Sequence, residues 1–130
     1  MSVNLQTTGV HHVALRVSDL PRAKRFYTET LGFPVIAEMP GIVLFLAGGT
    51  AFGLRAPTEK MPPGDAFNPH RLGVDHIALA CASETELERV AAALEHAGIE
   101  NTGAKLDETL GKRYVAFKDP DRIAWEFYMA

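Results

Sequence analysis

The sequence predicts an α+β fold in which one βαβββ module is written twice, and three observations support this prediction. The segment GVHHVAL at 9–15 has a near copy, GVDHIAL, at 73–79. Each copy is followed by an amphipathic helical pattern and then by three short segments typical of strands. The segments AFGL at 51–54 and AWEF at 124–127 also superpose, so the repeat extends through both halves of the chain.

The first module is predicted to span 9–56. Either Ser18 or Asp19 can cap its helix, Pro21 suits an early helical position, and Gly32 ends the helical pattern. Three strands are predicted after this helix, at 34–38, 42–47 and 50–56.

The second module is predicted to span 73–130. Its helix begins at Ser83, where Glu86 stands at capping-box spacing, and ends at Gly98. Its later strands are predicted at 100–104, 113–118 and 123–129. The intervening residues 57–72 are rich in proline and lack periodicity, which indicates a linker or a flap over a site. The whole chain, 1–130, is therefore expected to form a single domain.

The composition indicates a cytoplasmic protein that binds a small molecule. The net charge is −3, with 13 basic and 16 acidic residues and no block of like charge. We therefore expect neither a nucleic-acid partner nor a membrane surface as partner. No apolar run is long enough to span a bilayer, and the first residues lack the pattern of a signal peptide. A single cysteine, Cys81, suits a reducing compartment.

The repeat places two histidines at matching positions. Strand alternation puts His12 and His76 on the sheet face away from the helices, with small alanines beside them. Glu126 in the last strand has the same orientation, and burying its carboxylate without a partner is costly. Two histidines and a carboxylate form a facial triad that leaves coordination positions open. A divalent metal site is one interpretation. Unrelated core histidines and a solvated edge glutamate are the other.

At this point the sequence resembles the vicinal oxygen chelate superfamily, which includes glyoxalase I, fosfomycin and bleomycin resistance proteins, and extradiol dioxygenases. The matching segments are HHVALRVSDLPRAKRFYTETLGF, VDHIALAC and AFKDPDRIAWEF. The resemblance implies that the two modules form an open eight-stranded cup around a divalent metal. It also implies that the metal ligands are His12, His76 and Glu126, the residues that strand alternation selects.

Several departures from the family pattern bear on the subfamily. The fourth ligand position of glyoxalase I falls on Gly53, which argues against a four-ligand site, and a glutamate introduced there is predicted to fit. The tyrosine of extradiol dioxygenases is replaced by Ala116, and the threonine of fosfomycin glutathione transferases by Ala14. Arg122 replaces the usual glycine of a DPDG turn, which predicts a different turn type.

The function that the resemblance implies is a metal-dependent lyase, isomerase, transferase or dioxygenase acting on a small substrate chelated through adjacent oxygens. The metal would be Fe, Mn, Zn, Ni or Co, and no residue is assigned to an organic cofactor. Tyr114 is a candidate for proton transfer and Arg16 for orienting an anion, since both lie on the same face as the ligands. The alternative is a metal-free drug- or metabolite-binding protein of the bleomycin-resistance kind. The substrate, the reaction and the metal stay open.

A homodimer is also expected. The strand at 42–46 is apolar at every position, and the second helix carries three consecutive alanines at 91–93. Paired chains are common in the superfamily that the sequence resembles. Whether one chain or two complete each cup stays open.

Overall fold

The computed structural model describes every residue of the chain, 1–130. The chain divides into two compact units, Met1–Pro57 and Thr58–Ala130. Each unit contains a four-stranded mixed sheet and one helical region, in the order β, α, β, β, β. The predicted α+β fold with two βαβββ modules is therefore confirmed. None of the helices combines the length and the apolar composition that a bilayer crossing requires.

Unit 1 begins with a strand and a capped helix. Its elements are β1 (His12–Arg16), α1 (Leu20–Lys24), a π-helical continuation (Arg25–Thr30), β2 (Val35–Met39), β3 (Ile42–Ala47) and β4 (Thr50–Arg55). The strand order is β1-β4-β3-β2, with β1 parallel to β4. Of the two predicted caps the structure uses Asp19, whose side chain accepts a hydrogen bond from the backbone N–H of Arg22.

One face of the first sheet packs against the helical region. Val17, Tyr27 and Phe45 are fully buried there, and the rings of Tyr27 and Phe45 stack at 5.1 Å. Burying such a side chain contributes roughly 1.5–3 kcal/mol. The opposite face, which we call the open face of unit 1, exposes His12, Ala14 and Arg16.

Unit 2 repeats this arrangement. Its elements are β5 (Ile77–Cys81), α2 (Glu84–His96), β6 (Lys105–Asp107), β7 (Lys112–Lys118) and β8 (Ala124–Met129), with strand order β5-β8-β7-β6. The side chain of Ser83 accepts a hydrogen bond from the backbone N–H of Glu86, as predicted for the start of α2. The core contains Leu87, Leu94, Val115 and Trp125. The opposite face, the open face of unit 2, exposes His76, Ala78 and Ala80.

The strand predicted at 100–104 is wrong. Asn101 forms only an isolated bridge with Phe117, and Gly103 has a positive φ of 67°. The side-chain oxygen of Asn101 accepts a hydrogen bond from the Gly103 N–H, and that of Thr102 accepts one from the Ala116 N–H. The Thr102 N–H still donates a backbone bond to the Ala116 carbonyl, but side chains take the place of the other ladder bonds, and continuous pairing starts only at Lys105.

The opening strands are shorter than their sequence repeat. Gly9 and Gly73 have φ values of 122° and 133°, which keep the backbone out of the extended conformation. Pairing begins at His12 in unit 1 and at Ile77 in unit 2. His12 is therefore the first residue of β1 and His76 lies one residue before β5, where side chains are more accessible than at strand centres.

The turn before β8 keeps the conformation that glycine favours. Arg122 has a φ of 70°, so the prediction of a different turn type is wrong. The buried carboxylate of Asp119 accepts hydrogen bonds from the N–H groups of Asp121 and Ile123. Arg122 donates to Glu100 at 2.7 Å. These bonds hold the left-handed conformation at a residue that bears a side chain.

Candidate metal centre

His76 and Glu126 come together within unit 2. Strand β5 runs parallel to β8, with Ala78 opposite Glu126, so His76, one residue before β5, lies beside the carboxylate. The Nε2 of His76 is 3.4 Å from the Oε1 of Glu126. The side chain of Glu126 is 21% exposed and that of His76 is 41% exposed, so both remain accessible to a ligand from the open face.

The spacing and the chemistry of this pair fit a shared metal ion. Imidazole nitrogen and carboxylate oxygen bind first-row divalent ions at about 2.0–2.2 Å. Two such atoms are therefore about 3.0 Å apart on neighbouring corners of an octahedron and about 3.4 Å apart on those of a tetrahedron. The distance of 3.4 Å between Nε2 of His76 and Oε1 of Glu126 equals the tetrahedral value. The pair can supply two ligands without a change of side-chain position.

Asp75 orients His76. Its Oδ1 lies 2.7 Å from the Nδ1 of His76, on the opposite side of the ring from the nitrogen that faces Glu126. A carboxylate on one ring nitrogen fixes the tautomer and makes the other nitrogen a better metal ligand. Asp75 is a candidate site residue that the sequence analysis did not identify. Its position matches that of His11 in the repeat, and this correspondence was the available clue.

His12 occupies the equivalent place in unit 1. It begins β1, and its Nδ1 is 2.8 Å from the Nδ1 of His11. Because both atoms are ring nitrogens, one of them must carry the proton for this contact to be a hydrogen bond. The structure contains no group of three His, Cys, Asp or Glu residues arranged to hold a metal ion. The joining of His12 to His76 and Glu126 therefore stays a prediction.

The place of Glu126 is taken by Gly53 in unit 1. Ala14 pairs with Gly53 in the same way that Ala78 pairs with Glu126. A Cβ added at Gly53 would lie 3.0 Å from a terminal methyl carbon of Leu44. The fit of a glutamate there requires the Leu44 side chain to give way by a few tenths of an ångström, and it stays a prediction.

Tyr114 lies on the open face of unit 2, two residue pairs along the strands from Glu126. It pairs across the strands with Tyr128, and the two rings stack at 5.7 Å, while the Lys105 ammonium lies 5.6 Å from the Tyr114 ring. The Tyr128 hydroxyl donates a hydrogen bond to Asp107 at 2.7 Å. Desolvation, together with this hydrogen bond, raises the pKa of Tyr128 to about 12.

Arg16 and two further histidines, His70 and His96, are all exposed. Arg16 is exposed on the open face of unit 1, where its Nη1 donates to the backbone carbonyl of Ala56 at 2.6 Å. His70 is exposed in the segment between the modules, and His96 is exposed in the last turn of α2. Neither histidine contacts a candidate ligand in the structure.

Comparison with known proteins gives relatives along nearly the whole chain. The protein YwkD of Bacillus subtilis is 31% identical over 125 residues, which cover 92% of this chain and 95% of YwkD. The catechol-2,3-dioxygenase of the same organism is 31% identical over 118 residues. These residues cover 85% of this chain but only 41% of the dioxygenase.

Solved structures and a family model agree with these relatives. A glyoxylase/bleomycin resistance protein/dioxygenase domain from Frankia sp. EAN1pec superposes with a TM-score of 0.81 at 29% identity. The superposition covers 96% of this chain and 99% of that domain. The sequence model of the Glyoxalase/Bleomycin resistance protein/Dioxygenase superfamily matches residues 9–127. The chain therefore belongs to the glyoxalase/bleomycin resistance protein/dioxygenase superfamily.

Proposed function

We propose that this protein is a divalent-metal-dependent enzyme that acts on a small substrate chelated through adjacent oxygens. The observation that carries the proposal is the pairing of His76 with Glu126 at 3.4 Å, with Asp75 holding the far side of the imidazole. A half-buried carboxylate beside an oriented imidazole is the arrangement expected of two metal ligands.

His12 is the proposed third ligand. It has the same position in its module as His76, and His11 contacts its Nδ1 as Asp75 contacts that of His76. Either the same chain or a second copy of it would supply this residue. Fe, Mn, Zn, Ni or Co suits two histidines and one carboxylate. When bound, such an ion supplies Lewis acidity and lowers the pKa of bound water.

The two tyrosines of the open face have different proposed roles. Tyr128 stays protonated at neutral pH, since its pKa is about 12, and its proton is engaged with Asp107. Tyr114 has no hydroxyl partner among the hydrogen bonds of the structure, so its hydroxyl is free to donate to a ligand. Tyr114 is therefore the better candidate for proton transfer.

The relationship to a catechol-2,3-dioxygenase supports an enzyme whose substrate binds through neighbouring oxygens. This chain matches less than half of that dioxygenase, so the reaction itself is not transferred. The reaction therefore stays open among those of a lyase, an isomerase, a transferase and a dioxygenase.

Metal binding provides the test. The protein is purified without a polyhistidine tag or chelator, and its metal content is measured by mass spectrometry. We expect one ion per chain, lost in His12→Ala, His76→Ala and Glu126→Gln and kept in the control His70→Ala. Ligand binding by a protein that takes up no metal would favour the binding-protein alternative. Unchanged metal affinity in Glu126→Gln would contradict the ligand set.

The proposed assembly is a homodimer. On the open faces, Ala78 and Ala80 are exposed, and the side chains of Ile42, Leu44 and Leu46 are only half-buried. Apolar surface of this kind is usually covered by another element or chain. Light scattering at micromolar concentration should give twice the chain mass of 14.2 kDa. A mass equal to that of one chain would contradict the dimer.

A further inference from the structure

Two arginines lie side by side on the open face of unit 1. Arg16 of β1 and Arg55 of β4 are direct cross-strand partners, and both are exposed. Like charges directly opposite each other destabilise a sheet. The structure shows no carboxylate within ion-pair distance of either guanidinium. An anion between them would remove this repulsion.

Four other arginines of the chain behave differently. Arg71, Arg89, Arg113 and Arg122 each contact a carboxylate of the protein itself. The chain has 16 acidic residues against 13 basic ones, so carboxylates are available in excess. Two adjacent arginines without such a partner are therefore a local feature and not a consequence of composition.

Arg16 is already held in place. Its Nη1 donates to the Ala56 carbonyl at 2.6 Å, which anchors one edge of the guanidinium. A guanidinium has five N–H donors in a fixed fork, so donors remain for a second acceptor. An anchored guanidinium loses less conformational entropy when it binds an oxyanion.

The surface between this pair and His12 carries only small side chains on β1 and β4, with Leu44 of β3 beside Gly53. His12, Ala14 and Arg16 alternate along β1, so about 13 Å separates the Cα atoms at the two ends. The intermediate position carries only Ala14 and its partner Gly53. No bulky side chain of β1 or β4 interrupts the path from the imidazole to the guanidinium groups.

We propose that Arg16 and Arg55 form a subsite for an anionic group, a carboxylate or a phosphate, at the end of the ligand remote from His12. The ligand would be a small acid that carries adjacent oxygens at one end and the anionic group several bonds away. Both arginines of the anion subsite belong to unit 1. The binding of the other end of the ligand by chelation to a metal rests on the proposed function.

The first experiment uses metal-free protein and inorganic phosphate at constant ionic strength. Phosphate should raise the melting temperature of the wild type, because a ligand that binds only the folded state stabilises it. Arg16→Gln and Arg55→Gln should weaken phosphate binding on the order of ten-fold, as expected when a charge-assisted hydrogen bond is lost. Arg25→Gln removes the same charge from an exposed position in the helical region and should leave binding unchanged.

Arg55→Lys adds a variant that keeps the charge. It should bind phosphate with intermediate affinity, because the ammonium lacks the forked donor geometry. Absence of phosphate binding in the wild type would overturn the proposal, and so would an equal loss in Arg25→Gln. Circular dichroism of each variant shows whether it is folded.

The second experiment uses Mn²⁺-loaded protein and three 2-hydroxy acids, namely lactate, malate and 2-hydroxyglutarate. All three chelate through a hydroxyl and the neighbouring carboxylate, but only the last two carry a second carboxylate. Calorimetry should show on the order of ten-fold tighter binding of a diacid, an advantage lost in Arg16→Gln and Arg55→Gln and kept in Arg25→Gln. Equal affinities in protein that has bound Mn²⁺ would overturn the subsite. Failure to bind Mn²⁺ would count against the proposed function. The phosphate experiment on metal-free protein would still show whether Arg16 and Arg55 bind an anion.

Discussion

The Nδ1 of His76 lies 2.7 Å from the Oδ1 of Asp75, the residue immediately before it in the chain. The other ring nitrogen of His76 faces Glu126 at 3.4 Å. One imidazole thus lies between two carboxylates, of which Asp75 is largely exposed and Glu126 is not. The more enclosed carboxylate is the candidate ligand, and the exposed one orients the ring.

Removal of Asp75 should weaken metal binding without removing a ligand. In Asp75→Ala we expect the affinity to fall about 10–100-fold, the usual effect of losing a residue that orients a ligating histidine. Asp75→Asn should lie between that variant and the wild type, because its amide oxygen can still accept from Nδ1. Competition with a chromophoric chelator measures the affinities. Glu108→Ala, which removes a charge from another exposed position, is the control. An equal loss in the control would show a general charge effect.

A glutamate at Gly53 should destabilise the protein unless Leu44 is shortened. The added Cβ would lie 3.0 Å from the Leu44 methyl carbon, and overpacking of this kind costs about 1–3 kcal/mol. We expect urea unfolding to show this loss in Gly53→Glu and a smaller loss in Gly53→Glu/Leu44→Ala than the two single variants predict together. Strict additivity of the single losses would contradict the contact.

Glycine at position 122 should give a more stable protein than alanine. The residue there has a φ of 70°, a conformation in which a Cβ is strained. Arg122→Gly and Arg122→Ala both lose the ion pair with Glu100, so the difference between them isolates the backbone. We expect Arg122→Gly to be more stable by about 1 kcal/mol in chemical denaturation. Equal stability would show that the turn relaxes when the arginine is removed.

The hydrogen bond between Tyr128 and Asp107 should give a stability difference that depends on pH. The hydrogen bond from Tyr128 lowers the pKa of Asp107 in the folded protein. The stabilisation from the Asp107 carboxylate is therefore complete at pH values above the ordinary pKa of an aspartate, and it is lost as the pH falls through the lowered pKa. The pKa of Tyr128 is raised to about 12, so its contribution is full below its ordinary pKa and is lost as the pH rises towards 12. Thermal unfolding of Tyr128→Phe should therefore differ most from the wild type near neutral pH.

Tyr114→Phe is the matched control for that experiment. It keeps the stacked ring pair but removes a hydroxyl that has no protein partner. Its difference from the wild type should not change between acidic and neutral pH. A difference in thermal stability between Tyr128→Phe and the wild type that stays constant with pH would contradict the role of Asp107.

Local rules acting on short stretches of the sequence determined much of the fold. The repeat around His12 and His76 predicted two equivalent modules, because similar alternation and similar caps produce similar elements. Ser83 and Glu86 placed the start of α2 correctly. Strand alternation also assigned His76 and Glu126 to one face of the sheet. These features depend on neighbours in sequence or on a period of two residues.

Only the tertiary structure decided the features that depend on contacts between distant segments. The strand at 100–104 was lost because the Thr102 side chain bonds to Ala116, a contact that no local pattern displays. Leu44 filling the space at Gly53, and the pairing of Arg16 with Arg55, follow from strand register. Register is set by the packing of a whole sheet face, so a composition or a spacing along one strand cannot reveal it.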